Sequence, residues 1–591
     1  MQADSYHNDQ LASALVSCLS NPGSSSQEQC QAARQLRDLA TERRLSRAMA
    51  SASVPALVTM LANAERLQGM HEAADTLAQL FAKVADLPSL IADTALPGLC
   101  SLLQAADASS REKATRALLN LACHARYGRR IMTAALPGLV ACLQDLSAPE
   151  GRSPAACAIG NLACSLDLCL PIADAALPAL LACMRQAGIG SNWAARAIGH
   201  LALCSHLRPR IHKVAMPGLI CLLDDTAWPL SQEDAARAVS RLAIDPALRQ
   251  PIVSSTLPSL VRLLVGADWE NRCAAAHAIT QLACGASQVL TEQIVKGALA
   301  GLVTLLQDVS TPNGQTAAAA AISNLAYTGS RAQRQHIATT ALPGLVVLLE
   351  GSDQENQCAA ANAIGQLANR ASLDLKEQIA KGSLAGIVTL LQDVSTSKGQ
   401  TAAAAAIFRL AHGGSRAQRR HLAAAALPGL VGLLAHGIDP ESQNWAAFAL
   451  GDLIDTASHN QCRHIADATL EGLTRLLWTG SIPSCRTHAA TAIRLLAHWG
   501  SCTLCQQLEV VAFPGLLELL RDEPSGQNLE GQEQAAWAIG EIAASVNAGS
   551  RCRIFAAASG ELACLGRDAA NSAGSEAAKW ALRQMLAMDV Q

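Results

Sequence analysis

The sequence predicts an all-α solenoid, and three observations carry that prediction. A Leu-Pro-Gly-Leu corner returns at steps of 39 to 46 residues from one end of the chain to the other. An Ala-rich segment of the form Ala-Ala-x-Ala-Ile-x-Asn-Leu-Ala follows each corner, its polar seventh residue 23 to 28 residues downstream. Half of the residues are apolar but only 3% are aromatic. A core built from Ala, Leu, Ile and Val suits thin helices in close contact. One such unit cannot bury its own apolar faces, whereas stacked neighbours can.

The unit from Thr339 to Ala368 shows how each element is specified. Pro343 is expected at the start of a helix, where its missing N–H is not needed. Leu345, Val346, Leu348 and Leu349 then recur at helical spacing. Gly351-Ser352-Asp353 breaks that helix and offers an N-cap to the next. The second helix carries Ala360, Ala363, Ile364, Leu367 and Ala368 on one face of small residues. A short third helix is expected before the proline, over Gln333 to Thr340.

The corner begins at Ala12, Val54, Leu96, Leu136, Leu177, Met216, Leu257, Leu299, Leu342, Leu384, Leu427, Leu470, Phe513 and Ser559. The polar marker of the second segment stays locked to it, as at Asn120, Asn161, Asn324 and Gln366. This gives about 14 units. The first, within residues 1–53, is degenerate and holds the loop Asn21-Pro22-Gly23-Ser24-Ser25-Ser26. The array runs over 54–558, and 559–591 loses the proline. The two ends read as caps. The loops Asp145 to Pro154 and Arg521 to Gln532 are the expected mobile points.

The pattern of Leu342-Pro343-Gly344-Leu345-Val346 with Ala359-Ala360-Ala361-Asn362-Ala363-Ile364-Gly365-Gln366-Leu367-Ala368 resembles the armadillo repeat, and the resemblance covers nearly the whole chain. It implies a right-handed superhelix of three-helix repeats whose last helices line a concave groove for extended peptides. A longer period is also present. Residues 291–350 and 376–435 are close copies 85 apart, as in Gly329-Ser330-Arg331-Ala332-Gln333-Arg334 against Gly414-Ser415-Arg416-Ala417-Gln418-Arg419. The centre of the array therefore grew by copying pairs of repeats.

Net charge is −3, with no global pull toward nucleic acid or an acidic membrane. The longest apolar stretch, Leu422 to Ala435, is broken by Pro428 and is too short to span a bilayer. Of the 20 cysteines, Cys123, Cys142, Cys164, Cys183, Cys221 and Cys284 fall at repeat positions expected to be buried. Their scatter does not resemble a disulfide framework and points to a reducing compartment. The polar opening Met1-Gln2-Ala3-Asp4 does not read as a leader, and the expected location is the cytoplasm, with the nucleus second.

The chemistry-bearing motifs are thin. No Gly-Lys-Ser/Thr phosphate loop and no Gly-x-Ser-x-Gly elbow occurs. His71-Glu72-Ala73-Ala74-Asp75 begins like a zinc-protease helix but ends in Asp, and is expected to be an exposed helix face. His498, Cys502 and Cys505 have one ligand spacing but no second pair. The reading is a non-enzyme with no cofactor and no metal.

If the Ala-rich helices line the groove, the polar marker and the residue one turn before it point inward. The resulting binding residues are Arg116, Asn120, Asn161, Arg196, His200, Arg237, Arg241, His277, Gln281, Asn324, Asn362, Gln366, Phe448 and Trp537. The Trp–Asn ladder of importin alpha is missing, because Trp occupies the upper position only at Trp537 and Trp580. Arg116, Arg196, His200, Arg237, Arg241 and His277 instead form a basic stripe, closer in kind to the groove of beta-catenin. The expected partners are other proteins, bound through extended, acidic segments. Self-pairing of these arginines inside the stack is the competing reading. Asp452 and Glu541 with Phe448 and Trp537 make an acidic-aromatic end. The segments Arg331–Arg334 and Arg416–Arg420 are expected outside the groove, in solvent. The function expected is a scaffold or adaptor. A nuclear transport receptor and a structural subunit of a cytoskeletal or axonemal assembly are the alternatives.

Overall fold

The computed structural model describes residues 2–21, 23–42, 45–63, 67–83, 89–105, 107–145, 149–186, 188, 190–437, 439–455, 457–480, 482–521, 529–568 and 571–586. The loop residues 146–148 and 522–528, and Pro22, singled out in the sequence, lie outside them. Among the described residues every regular element is a helix. The chain divides into two compact units, residues 1–282 and 283–591.

Each repeat contributes a corner-bearing helix, here called A, and an Ala-rich helix, called B. The B helices are Ser26–Thr41, Leu67–Lys83, Ala108–Ala122, Arg152–Leu162, Ser191–Leu201, Pro229–Leu242 and Trp269–Ala283, then Pro312–Thr328, Gln354–Ala368, Ser397–Ala411, Pro440–Ile454, Pro483–Trp499, Leu529–Ser545 and Ser572–Leu586. Within each unit successive B helices pack on one another in one layer and successive A helices in a second. The small residues make this possible. Ala360, Ala363, Ile364, Leu367 and Ala368 are all fully buried. Gly365 sits so close to the next B helix that a Cβ there would lie 3.1 Å from the Ala406 Cα. Asp353 caps the Gln354–Ala368 helix by accepting from the Asn356 amide, as its position predicts.

The corner differs from expectation. Pro55, Pro97, Pro137, Pro178, Pro217, Pro258, Pro343 and Pro428 lie inside continuous A helices. The segment expected as a separate third helix is the first half of one helix, Arg331–Glu350. The physical reason is the direction each proline faces. All eight are exposed, so the carbonyl that loses its donor one turn earlier lies on the solvent side, where water can satisfy it and the helix can continue. At the corner holding Pro514 the A helix is interrupted at Ala512, into Cys502–Val511 and Phe513–Arg521 inclined at 56°.

Two polar devices join the repeats. Arginines near the start of A helices reach back to carbonyls of the preceding segment, as in Arg208 Nε to the Ala202 carbonyl at 2.8 Å, Arg249 Nε to Ala243 at 2.9 Å and Arg419 Nε to Ala411 at 3.0 Å. A buried amide ladder runs along the first turns of the B helices. Gln315 Nε2 donates to the Leu306 carbonyl at 3.0 Å, and its Oε1 accepts from Asn356 Nδ2 at 2.9 Å. Gln232 and Asn271 repeat the arrangement at 3.2 and 3.0 Å.

Further sequence expectations are corrected here. Cys142 and Cys183 are buried, but Cys123, Cys164, Cys221 and Cys284 are exposed. Cys123, Cys164 and Cys284 follow the last buried Leu-Ala of a B helix, where the chain leaves the inter-helix contact. Glu72 is not on an exposed face: it is buried and paired with Arg34 at 2.9 Å and Arg37 at 3.3 Å of the preceding repeat. Arg419 is likewise buried rather than solvated. Two stretches, Leu166–Arg185 and Gln288–Leu306, are long and apolar enough to cross a membrane, and about half of each is buried by its neighbours in the stack.

Candidate functional site

Within each unit the B helices place their share of the fourteen sequence-derived site residues where solvent reaches them. Arg116, Arg237, His277 and Asn362 are exposed, and the other ten are half-buried. In each helix marker and upper residue fall on the same side, because they are one turn apart and the opposite side is committed to Ala and Ile packing.

In the first unit the basic stripe is largely self-compensated. Arg196 Nε lies 2.8 Å from Asp234 Oδ1 in the next repeat, and Arg237 lies 2.5 Å from Glu233 one turn before it. Arg116 pairs with Glu112 and lies 3.8 Å from Asp75. Burial pushes the Asp234 and Glu233 carboxyls above the usual range, against the pull of the arginines. Burial lowers the pKa of His200 and of His277, the latter further depressed by Arg237, so both favour the neutral ring. One cation stands apart. Arg241 is half-buried and has no carboxylate within ion-pair distance among the described residues.

The amides of this unit serve the stack. Asn120 Nδ2 donates to the Ala78 carbonyl at 2.7 Å in the previous repeat, and Asn161 Nδ2 to the Cys123 sulfur at 3.3 Å. His200 Nδ1 is 2.8 Å from the Gly160 carbonyl and 3.2 Å from the Cys164 sulfur. Gln281 is half-buried on the same face.

In the second unit Asn324, Asn362 and Gln366 line one open cleft of about 680 Å³, with Ser323, Cys358 and Lys398. Gln366 Oε1 is buried with no hydrogen-bond partner, and its helix presents Asn362 one turn earlier. Further along, Phe448 lies between two rings, 3.9 Å from Phe408 and 4.1 Å from His488, both nearly parallel to it. Trp445 flanks the stack, with the Arg409 guanidinium 5.3 Å above its ring. Trp537 packs on Trp580 at 4.8 Å. His412 and His498 stand 3.2 and 3.1 Å from Asp452 and Glu541, so those two acids are engaged by imidazoles.

Sequence reasoning missed Asp234, Glu233, Phe408, Trp445 and His488. The aromatic trio carried a usable signal: Phe408, Trp445 and Phe448 crowd into one repeat length of a chain with five Phe and eight Trp. Among the described residues no group of His, Cys, Asp or Glu could hold a metal ion, His498 with Cys502 and Cys505 included.

No family model and no curated protein matches this chain. Solved structures do. A crystal structure of an engineered protein from the Northeast Structural Genomics Consortium aligns with a TM-score of 0.57 at 27% identity, covering 68% of this chain and 98% of that one. A designed armadillo repeat protein aligns at 29% identity and TM-score 0.37 over 40% of this chain and 99% of its own. Another, solved in complex with the peptide (KR)4, gives the same figures.

Proposed function

We propose, from the premise that the chain is an armadillo-like repeat solenoid, that it is a non-catalytic scaffold holding extended peptide segments of partner proteins along the accessible face of its B helices. The observation that carries this reading is the unmet amide of Gln366 beneath the cleft shared with Asn324 and Asn362. A buried acceptor without a donor costs about 1–3 kcal/mol. An extended peptide offers backbone N–H groups that rotation of the Gln366 amide would let it meet. Carbonyl acceptors for Asn362 Nδ2 come with them. The scatter of twenty cysteines along the chain supports a reducing compartment such as the cytoplasm.

Selection of peptides from a random library on the full chain tests this. Peptides recovered on the wild type should lose at least tenfold in affinity for the Asn362→Ala/Gln366→Ala variant. Equal affinity would overturn the assignment of this cleft.

A preference for acidic segments is supported in the first unit by Arg241. Because Arg196 and Arg237 already have carboxylates, the acidic preference narrows to one side chain opposite Arg241. Arg241→Gln should weaken an acidic ligand of this face and flatten its salt dependence. Arg237→Gln should do so far less.

A further inference from the structure

We propose that the A-helix layer of the second unit holds a separate binding pocket for a small amphipathic acid, a molecule with one anionic head and an apolar body. The pocket has a volume of about 490 Å³ and lies between the helices Arg416–His436 and His459–Thr479. That volume is within the range of small-molecule sites, about 300–1,000 Å³.

Its walls divide by chemistry. Arg416 and Arg420, one turn apart on the first helix, and His464 on the second stand at the polar side. Leu427, Leu453 and Ile465 supply the apolar side. The arginines are not structural. Arg419, between them, is buried and bonded to the Ala411 and Asp452 carbonyls and the Asp455 carboxylate. Arg416 and Arg420 are exposed, and neither has a hydrogen bond or an ion pair among the described residues. Two unpaired guanidiniums beside an apolar hollow suit a carboxylate or phosphate head, which they can grip by charge-assisted hydrogen bonds.

The copied repeat supplies an internal control. Counting from the N-cap serines Ser330 and Ser415, Arg420 corresponds to Gln335 and Ala424 to Thr339. Counting from Ser372 and Ser458, His464 corresponds to Gln378 and Asn460 to Asp374. The exchanges at Arg420 and Ala424 fall within the close copies and those at His464 and Asn460 in the more diverged helices that follow; together they add two basic side chains, remove one acid and remove a hydroxyl. All four fall on the lining of this pocket and favour an anion with an apolar body, while a fifth lining exchange, Gln461 in place of Leu375, adds a polar amide.

Isothermal titration of the full chain with decanoate, below its micelle concentration, tests the proposal. The comparison ligands are acetate, which lacks the body, and decanol, which lacks the charge. Decanoate should bind saturably at one site, with both comparison ligands at least tenfold weaker. Arg420→Gln/His464→Gln, which restores the residues of the copy, should weaken decanoate at least tenfold. Ala424→Phe, which fills the mouth and keeps every charge, should abolish binding with an unchanged thermal midpoint. Decanoate affinity unchanged in both variants would overturn the proposal. So would decanol binding as tightly as decanoate, or binding seen only with anionic lipid vesicles or glutamate-rich peptides. The Asn362/Gln366 variant leaves this pocket intact, so the two assignments fail independently.

Discussion

The Nε of Arg196 lies 2.8 Å from Oδ1 of Asp234 in the following repeat, with the carboxylate fully buried and the guanidinium 35% exposed. This asymmetry predicts unequal costs of breaking the pair. Arg196→Met strands a buried carboxylate and should cost about 3 kcal/mol. Asp234→Asn leaves an arginine that can rehydrate and should cost about 1 kcal/mol. Urea unfolding followed by circular dichroism of both variants checks the order. Equal losses would mean that Asp234 is already protonated in the fold.

His488 gives a pH dependence. Burial holds its imidazole down at about 4, while its Nδ1 rests 2.8 Å from Asn444 Oδ1. A depressed folded pKa makes the neutral ring part of the native state. Its contribution is complete above the unfolded value near 6.5 and is lost as pH falls from there toward 4. Within that window the slope approaches one proton, about 1.4 kcal/mol per pH unit. His488→Phe keeps a ring against Phe448 and should remove this part of the slope. An unchanged slope between pH 6.5 and 4 would assign the effect to the other buried histidines.

Two helical glycines should respond oppositely to alanine. At Gly432 a Cβ meets nothing within 4 Å, so Gly432→Ala should gain about 0.5–1 kcal/mol from the stiffer unfolded chain and better helix propensity. At Gly365 the Cβ would press on the Ala406 backbone at 3.1 Å, which cannot rotate away. Overpacking of about 1–3 kcal/mol should there exceed the propensity gain. Thermal melts of the two variants shifting in the same direction would contradict the close approach of the B helices.

Alkylation of the native chain separates the thiols. Cys123, Cys164, Cys221, Cys284, Cys502, Cys552 and Cys564 are exposed and should be modified by iodoacetamide. Cys142, Cys169, Cys462 and Cys505 are buried, and burial pushes each thiol up to about 11. They should react only after unfolding. Peptide mapping by mass spectrometry reads the difference.

The fold was legible because the repeat signals its own packing. Ala363, Ile364 and Leu367 recur at the spacing of one helix face, and that face is the buried one. The accessible face followed by subtraction. Other features were illegible for definite reasons. The partner of Arg196 stands 38 residues away in the next repeat, beyond any one-turn scan, whereas Glu233 lies one turn before Arg237 and was within reach of such a scan though not picked out. Pro343 was misjudged because a helix can continue through a proline whose orphaned carbonyl is hydrated, and exposure is a tertiary property. The hollow under Arg420 depends on the spacing of two A helices, which no local pattern encodes.

The ladder joining Gln315 to Asn356 sets the quantum in which such a chain can lengthen or shorten. Successive B helices read Gln232, Asn271, then Gln315, Asn356, Gln400, and the two bonded rungs, Gln232 with Asn271 and Gln315 with Asn356, each join unlike residues. Excising one repeat would set like against like and leave a buried rung mismatched. Excising or inserting two restores the alternation. Changes of an even number of repeats keep such rungs matched, and the 85-residue echo in the sequence has that parity.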